Sequence, residues 1–274
     1  MKALRADAFK HVVVWIILVL TYYPLVFSVE TSLKSNTQFQ YNVFGPTWPV
    51  YLSNYGAAWS GIAGFVWNTV VVAVVTVVFT LVFGSMAAFV FARYDFPGKR
   101  IVFYLFLGLL MIPSILTLIP LFLEVKGMGL LNNWLALILP YIAGGQAITV
   151  FVLQAFFSSL PEEMFEAARI DGASEFQAFV RIAIPLSSAI LGAMAIISAL
   201  GVWGDYLWPT IVLQDSHLYT ISAGIANYVS SFGLVAQVGP TFASYVLASL
   251  PVVILIILTM KYYVTGLTSG ALKL

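Results

Sequence analysis

The stretch Ser158–Pro185, SSLPEEMFEAARIDGASEFQAFVRIAIP, is a charged island in a chain that is otherwise strongly apolar. It carries seven of the 23 charged side chains in the 274-residue sequence, and long apolar runs flank it on both sides. A short charged segment between two apolar runs of membrane-spanning length is typical of a loop on one side of a membrane. The sequence therefore predicts a membrane protein in which this loop is the main polar feature.

The composition supports an all-α polytopic membrane protein. Hydrophobic residues make up 61% of the chain and charged residues only 8%, whereas soluble domains carry about 25% charged residues. Backbone polar groups that face lipid must be hydrogen-bonded within the chain, which favours helices over such long apolar runs. The sequence contains no cysteine, and its two histidines, His11 and His217, have no neighbouring ligand residues, so no metal site is predicted.

Six apolar runs are long enough to cross a bilayer core, which needs about 20 helical residues. They are predicted at Val12–Val29, Phe65–Ala92, Ile101–Leu123, Trp134–Phe157, Ala183–Leu207 and Phe242–Tyr263. With the N-terminus inside, ten Lys and Arg residues fall in inner segments, and only Lys34 and Lys126 fall in outer ones. This bias predicts that both termini and the charged island are cytoplasmic. The moderately apolar Leu218–Val238 is then an external loop with a short helix or hairpin.

The predicted spans hold almost no ionisable side chains. Asp205 and Lys261 lie near span ends, and Glu124 lies just beyond the third span. Carriers coupled to protons or sodium ions usually have carboxylates or histidines near the midplane. A phosphate-binding G-x-x-x-x-G-K-[ST] loop is also absent from the sequence. If the chain takes part in active transport, another subunit must supply the energy.

Residue order within the charged island predicts two short helices. A serine cap at Ser158 or Ser159 and Pro161 in the first turn suit the start of a helix that runs to about Ile170. Asp171-Gly172 is expected to end it, since glycine permits a left-handed turn.

The second helix of the island is predicted from a capping box formed by Ser174 and Gln177. Helical spacing then puts Phe176, Phe179 and Val180 on one face. Such an aromatic ridge can dock into the groove of a partner or pack against the chain's own spans. The residues alone leave both possibilities open.

The charged island resembles the EAA signature of permeases in binding-protein-dependent ABC importers. Glu166-Ala167-Ala168, then Gly172, then Ile182-Ala183-Ile184-Pro185 follow the order and spacing of that signature, with isoleucine where the family pattern has leucine. In that family the loop is a coupling helix that sits in a cleft of the ATPase subunit. The resemblance therefore implies ATPase-coupling roles for Glu166, Ala167, Ala168, Asp171, Gly172, Phe176 and Phe179.

Further segments resemble the carbohydrate subgroup of the same family. They are Ser32–Lys34, Asn54-Tyr55, Leu131–Trp134, Leu137–Tyr141 and Trp203–Pro209, together with a C-terminal tail similar to that of maltose-type (MalG-like) permeases. The tail resemblance implies ATPase contacts at Thr268, Gly270 and Lys273. Two residues depart from the pattern: Gly204 stands where the family usually has asparagine, and Leu274 replaces the common terminal glycine.

The resemblance implies a permease subunit with six transmembrane helices, both termini in the cytoplasm and the coupling loop between spans 4 and 5. Its expected parts are an N-terminal anchor helix with an external loop (1–64), a five-helix transmembrane domain (65–264) that holds the coupling loop 158–185, and a cytoplasmic tail (265–274). The implied partners are a second permease subunit, two ATPase subunits that bind ATP and magnesium, an external solute-binding protein and a sugar. No cofactor is expected in this chain, which is assigned to a prokaryotic inner membrane.

Aromatic and acidic residues at the predicted outer end of the fifth span suggest a translocation path. Trp203, Asp205 and Tyr206 offer the ring faces and polar groups that sugars bind, although an interfacial aromatic belt explains the two aromatic residues as well. A permease for a glycerol-phosphate-type or other polar solute is an alternative function, and an ion-coupled secondary transporter is another.

Overall fold

The computed structural model describes residues 2–232 and 237–271, and the regular structure of this part of the chain is helical. The helices are α1 (Lys2–Ser32), α2 (Asn36–Tyr41), α3 (Ser53–Arg93), α4 (Lys99–Leu109), α5 (Ser114–Gly127), α6 (Leu135–Ser158), α7 (Glu162–Ile170), α8 (Glu175–Ala178), α9 (Ile184–Leu186), α10 (Ser188–Gly204), α11 (Leu207–Val212), α12 (Ile221–Phe232) and α13 (Val238–Ala271). A π-helical turn, Phe179–Ala183, joins α8 to α9, and a 3₁₀ turn, Ser216–Leu218, precedes α12.

Within residues 2–232 and 237–271, four helical stretches are long and apolar enough to cross a membrane alone: Lys10–Ser32, α3, α6 and Val238–Thr259. Two bent pairs, α4 with α5 and Glu175–Leu186 with α10, bring the number to six if each pair forms one span. The predicted all-α polytopic fold is therefore confirmed. The sidedness of the termini stays a prediction.

Two of the predicted spans are broken helices. The third span breaks between α4 and α5, which meet at 98°, because Pro113 lacks an N–H group and its ring disfavours helical geometry at the preceding residue. The fifth span, predicted as Ala183–Leu207, contains a 78° bend next to Ser187 and ends at Gly204. A π-helical turn and Pro185 precede that bend, and both are recognised causes of helix kinks.

The segment Leu218–Val238 contains a short helix, as predicted. α12 has 12 residues, which is too few to cross a bilayer core of about 30 Å at 1.5 Å per residue. Residues 233–236 lie outside the described part of the chain.

The described residues form two compact units. The first comprises the chain up to Gly64 together with Gly224–Pro251, and the second comprises Phe65–Ala223 together with the chain from Val252 onward. Both α3 and α13 contribute residues to each unit.

Buried polar groups hold the turn after α1 in the first unit. The ammonium of Lys34 is buried, pairs with Glu30 at 2.6 Å and donates to two backbone carbonyls of the following segment at 3.1 Å. Asn54 donates to the carbonyl oxygens of Ser32 and Lys34 at 2.8 and 3.0 Å, and the hydroxyls of Ser32 and Tyr55 lie 2.7 Å apart. A buried ammonium is tolerated only with such partners. The hydrogen bonds from Asn54 and the contact of Tyr55 with Ser32 join the two motifs Ser32–Lys34 and Asn54-Tyr55 into one site.

In the second unit, a proline in α6 determines where α11 attaches. Pro140 has no N–H group, so the carbonyl of Ala136, four residues earlier, loses its helical partner. The indole N–H of the buried Trp208 donates to that carbonyl at 2.9 Å. A backbone group freed in an apolar environment must find another partner, and here α11 supplies it.

The connection between α11 and α12 is held by side chains of α3 and of the segment just before α6. Asn68 donates to the carbonyls of His217 and Tyr219 at 2.7 and 3.0 Å, and the indole of Trp134 donates to Leu218 at 3.1 Å. Asn132 has a φ of 58°, and its side-chain oxygen accepts from two backbone N–H groups of the same connection. The Leu131–Trp134 motif therefore anchors this segment.

Replacing Trp208 by phenylalanine tests the role of the freed carbonyl. Trp208→Phe keeps most of the ring but leaves the carbonyl of Ala136 unpaired, so we expect the free energy of unfolding to fall by about 1–3 kcal/mol. Thermal unfolding of the detergent-purified protein, followed by circular dichroism, measures it. The exposed Trp67 provides the matched control, since Trp67→Phe should change stability by less than about 0.5 kcal/mol. Equal effects at the two positions would contradict the assignment.

Candidate functional site

The sequence-predicted site residues fall in three places. The coupling residues lie in the charged island, and the residues of the suggested path lie at the end of α10. The tail residues Thr268 and Gly270 belong to the last turns of α13, where side chains are not described, and Lys273 lies outside the described residues.

The charged island folds into two helices joined by a glycine turn, as predicted. α7 ends at Ile170, and Gly172 follows with a φ of 79°. The N–H of Ala173 bonds to the carbonyl of Ala168 at 2.9 Å, and that of Gly172 bonds to Arg169 at 3.1 Å, which is a Schellman C-cap. Gly172 is therefore required for its backbone conformation, since an added Cβ would strain it.

Of the two capping predictions for the island helices, one is confirmed and the other is wrong. The predicted capping box is confirmed, since the hydroxyl of Ser174 accepts from the N–H of Gln177 and the Gln177 side chain accepts from the N–H of Ser174. The predicted serine cap of α7 is wrong. Pro161 stands just before the first helical residue, Glu162, and Ser159 instead donates to the last turn of α6 at 2.7 Å.

The inner face of the island consists of aromatic rings packed on the chain's own helices. Phe165 is fully buried, and Phe179 is 8% exposed. Both contact Phe89 of α3, with ring centroids 6.1 and 5.2 Å apart, and Phe89 also meets Phe157 of α6 at 6.0 Å. Tilted and edge-to-face aromatic packing at these distances stabilises a contact beyond the area it buries, so the island is fixed to α3 and α6.

The predicted aromatic ridge is divided between the two faces of the island. Phe179 packs inside, whereas Phe176 is 66% exposed. Glu166, Ala167, Asp171 and Gly172 are exposed as well, and Ala168 is half-buried. Ile170, which the sequence reasoning did not select, is 87% exposed. The outer face of the island therefore combines the acid Glu166 with two large exposed apolar side chains.

Arg93, the last residue of α3, connects the island to two membrane helices. Its side chain is 6% exposed, and one terminal nitrogen donates to the carbonyls of Phe157 and Leu160 at 2.8 and 2.9 Å. The other forms an ion pair with Glu162, and the guanidinium stacks on the ring of Phe165 at 4.0 Å. The planar donor fork of arginine suits this combination of stacking and several acceptors.

The polar contacts continue from Arg93 around the island and return to the neighbouring residue, Tyr94. Arg169 bridges Glu162 and Glu175 at 3.2 and 3.0 Å. A hydrogen bond from Tyr94, and then Arg169, hold the pKa of Glu175 below its ordinary value, although partial burial acts in the opposite direction. Partial burial and the Glu175 carboxylate raise the pKa of Tyr94.

Sequence reasoning missed Arg93 and Tyr94 as site residues. In the sequence, Arg93 is only a basic residue after an apolar run, where it counts toward membrane sidedness. The contact with Glu162 joins residues 69 positions apart, and no local periodicity indicates such a pair.

One of the path residues, Asp205, borders the first of two cavities that share residues of α6. The Asp205 cavity, about 290 Å³, is bordered by Pro140, Tyr141, Gly144, Asp205 and Trp208, with residues of α5. The hydroxyl of Tyr141 donates to Asp205 at 2.8 Å, and the N–H of Trp208 donates to its other oxygen at 3.2 Å.

A second cavity, about 330 Å³, shares Pro140, Tyr141 and Gly144 with the first and extends toward α3 and α10. Of the three predicted path residues, only Asp205 borders either of these two cavities. Trp203 is half-buried, and Tyr206 is exposed.

Replacing Arg93 tests its role as the link between the island and the membrane helices. Arg93→Lys keeps the charge, but an ammonium cannot serve Glu162, two carbonyls and a ring at once. We expect the free energy of unfolding in detergent to fall by about 1–3 kcal/mol, because the carbonyls lose their donor. The exposed Arg100 provides the control, and Arg100→Lys should stay within about 0.5 kcal/mol. A loss no larger than that of the control would rule out the link.

The lowered pKa of Glu175 predicts a pH dependence of stability. The stabilisation is present above the ordinary carboxyl pKa of about 4.3 and is lost as the pH falls through the lowered pKa in the folded protein. Stability differences between the wild type and Glu175→Gln should therefore shrink between about pH 5 and pH 3. Thermal scans at several pH values measure this, with the exposed Glu163→Gln as control. A difference that does not depend on pH would contradict the assignment.

Comparison with known proteins gives the family. Residues 80–269, more than half of the chain, match the model of the binding-protein-dependent transport system inner membrane component. The diacetylchitobiose uptake system permease protein NgcG of Streptomyces coelicolor is 31% identical over 98% of this chain and 90% of its own. The arabinooligosaccharides transport system permease protein AraQ of Halalkalibacterium halodurans is 34% identical over 92% and 91%.

A solved structure matches the fold. A chain from a bacterial ABC transporter involved in the import of the acidic polysaccharide alginate superposes with a TM-score of 0.83, covers 94% of this chain and 96% of its own, and is 20% identical. The charged island and the cavity face of α6 both lie within the region that the family model matches. The chain therefore belongs to the inner-membrane component family of binding-protein-dependent transport systems.

Proposed function

We propose that this chain is the transmembrane permease subunit of an ATP-driven ABC importer that moves a sugar or oligosaccharide across a prokaryotic inner membrane. The observation that carries the proposal is the charged island. It presents Glu166, Ile170 and Phe176 outward, while its inner face is fixed to α3 and α6 by aromatic packing and by Arg93. A segment that is exposed on its outer face and firmly attached to two helices on its inner face is suited to transmit the movement of a partner protein to those helices.

The partner that fits this surface is an ATPase subunit. The island's outer face combines a carboxylate with two exposed apolar side chains, which is the type of anchor that dominates protein interfaces. Ala167 and Gly172 leave the backbone of the island accessible beside these anchors. ATP and magnesium would be bound and hydrolysed by two such partner subunits.

The proposed orientation puts the island in the cytoplasm. The predicted inner segments hold ten Lys and Arg residues, against two in the outer ones, and this excess sets the topology of multispanning proteins. The tail residues Thr268, Gly270 and Lys273 would then lie on the same side as the ATPases. The segment around α12 would lie on the opposite side, where an external solute-binding protein delivers the sugar.

The structure suggests how movement of the island reaches the membrane. When the ATPase subunits close on ATP, a displacement of the island is transmitted through Arg93 to the end of α3 and to the last turn of α6. Both helices border the second cavity. Rigid contacts between the island and these helices therefore couple ATP binding to a change of access at the cavity, together with a second permease subunit.

Charge reversal on the outer face tests the coupling surface. Glu166→Lys alters an exposed residue, so stability should stay within about 0.5 kcal/mol, while ATP-driven uptake into proteoliposomes that carry the assembled complex should fall by about tenfold or more. Phe176→Ser should act in the same direction. Co-purification of the ATPase subunit is the second measurement.

The control for this test is Glu124→Lys, the same change at an exposed residue outside the island. It should leave uptake and ATPase co-purification unchanged. If Glu166→Lys and Phe176→Ser both retained normal uptake, the outer face would not be the coupling surface.

A further inference from the structure

The second cavity contains two threonine hydroxyls without hydrogen-bond partners. Thr76 and Thr80 of α3 border it, both are 1% exposed, and neither hydroxyl oxygen has a partner among the described residues. Helical threonines commonly bond to the carbonyl four residues earlier, as Thr69 of the same helix does with Phe65 at 2.7 Å. A buried hydroxyl without a partner is costly, so these two are available to a polar ligand.

Thr76 and Thr80 are one helical turn apart and therefore lie on the same face of α3. Thr149 of α6 and Ser198 of α10 border the same cavity. Hydroxyl groups both donate and accept hydrogen bonds, so the walls offer a neutral set of donors and acceptors from three helices.

Two glycines keep the cavity face open. Gly144 of α6 borders both cavities, and Gly201 of α10 borders the second; a Cβ at either position would meet no atom within 4 Å. Gly145 differs, since its Cβ would lie 3.0 Å from the side chain of Thr80. Glycine inside a helix lowers its stability, and for Gly144 and Gly201 close packing does not explain the choice. The open space beside these two glycines leaves room for a ligand in the cavities.

The charge of the walls restricts the ligand. Among the residues that border the two cavities, Asp205 is the only one with a charged side chain, and neither wall includes a lysine or an arginine. A phosphate or carboxylate would meet a carboxylate in an apolar environment without a compensating cation, which is strongly unfavourable. An uncharged polyhydroxylated ligand meets hydroxyls, the ring of Tyr141 and an acceptor at Asp205.

We propose that the α6 face from Pro140 to Thr149, together with Thr76 and Thr80, forms a binding site in this chain for an uncharged sugar during translocation. The proposal rests on the proposed function and deepens it, because it assigns the sugar contacts to particular residues and excludes anionic substrates. It also implies that this chain differs in substrate charge from transporters of acidic glycans that share the fold.

The test uses the assembled complex in proteoliposomes with ATP and the solute-binding protein. Uptake is measured for trehalose, raffinose and diacetylchitobiose as neutral probes, and for glycerol 3-phosphate and alginate oligosaccharides as anionic probes. We expect import of at least one neutral probe and of neither anionic one. Thr80→Val, which keeps the shape and removes the hydroxyl, should raise KM about tenfold, the factor equivalent to about 1.4 kcal/mol. Thr80→Ser should restore a KM close to the wild-type value.

Filling the cavity is the second arm of the test. Gly144→Val and Gly201→Val add side chains into open space, so the thermal unfolding temperature should not fall, while uptake should drop about tenfold or more. Gly64→Val is the matched control, because Gly64 also lies inside a helix with no atom near its Cβ and borders neither cavity. It should leave uptake unchanged.

The possible outcomes separate this inference from the proposed function. A complex that imports an anionic probe overturns the exclusion of anions and leaves the importer function standing. A complex that imports a neutral probe equally well with Thr80→Val and Gly144→Val overturns the site alone. A complex that assembles and hydrolyses ATP but imports neither a probe nor the ligand of its own solute-binding protein overturns the site and the proposed function together.

Discussion

The guanidinium of Arg93 holds the charged island to α3 and α6 in the second unit. It supplies donors to the carbonyls at the end of α6, pairs with Glu162 and covers the ring of Phe165. The carbonyls of a helix end have no partner within their own helix, and a guanidinium buried there needs several acceptors. One terminal nitrogen of Arg93 supplies both carbonyls and the other pairs with Glu162, and these contacts fix α7 to α3 and α6.

The same physical rule explains the other polar contacts between helices. In an apolar surrounding each backbone polar group needs a partner, so Trp208 bonds the carbonyl freed by Pro140, and Asn68 bonds two carbonyls of the α11–α12 connection. Thr76 and Thr80 do not follow the rule. Other buried hydroxyls also lack a partner, among them those of Thr31 and Thr220, but Thr76 and Thr80 border a cavity, and the proposed sugar site is placed there for that reason.

The two functional regions divide the tasks of a transport subunit. The charged island exposes Glu166, Ile170 and Phe176, whereas the α6 face borders two cavities, one of which is also bordered by Thr76 and Thr80. α3 and α6 belong to both regions, since each has one end at the island and its middle at the cavity. In the proposed function, movement at the island is transmitted to the cavity through these two helices.

The sequence by itself determined the membrane class, the number of apolar runs, the glycine turn and the capping box of the charged island, because these depend on local composition, backbone geometry and short-range hydrogen bonds. It also carried the family resemblance. Only the tertiary structure decided that Phe179 packs inside while Phe176 stays exposed, that Arg93 joins three helices, and that Thr76 and Thr80 share a cavity with Gly144. These features depend on contacts between residues far apart in the chain, which helical periodicity cannot specify. They also depend on the bends at Pro113 and Ser187, where packing sets the positions of the helices on either side.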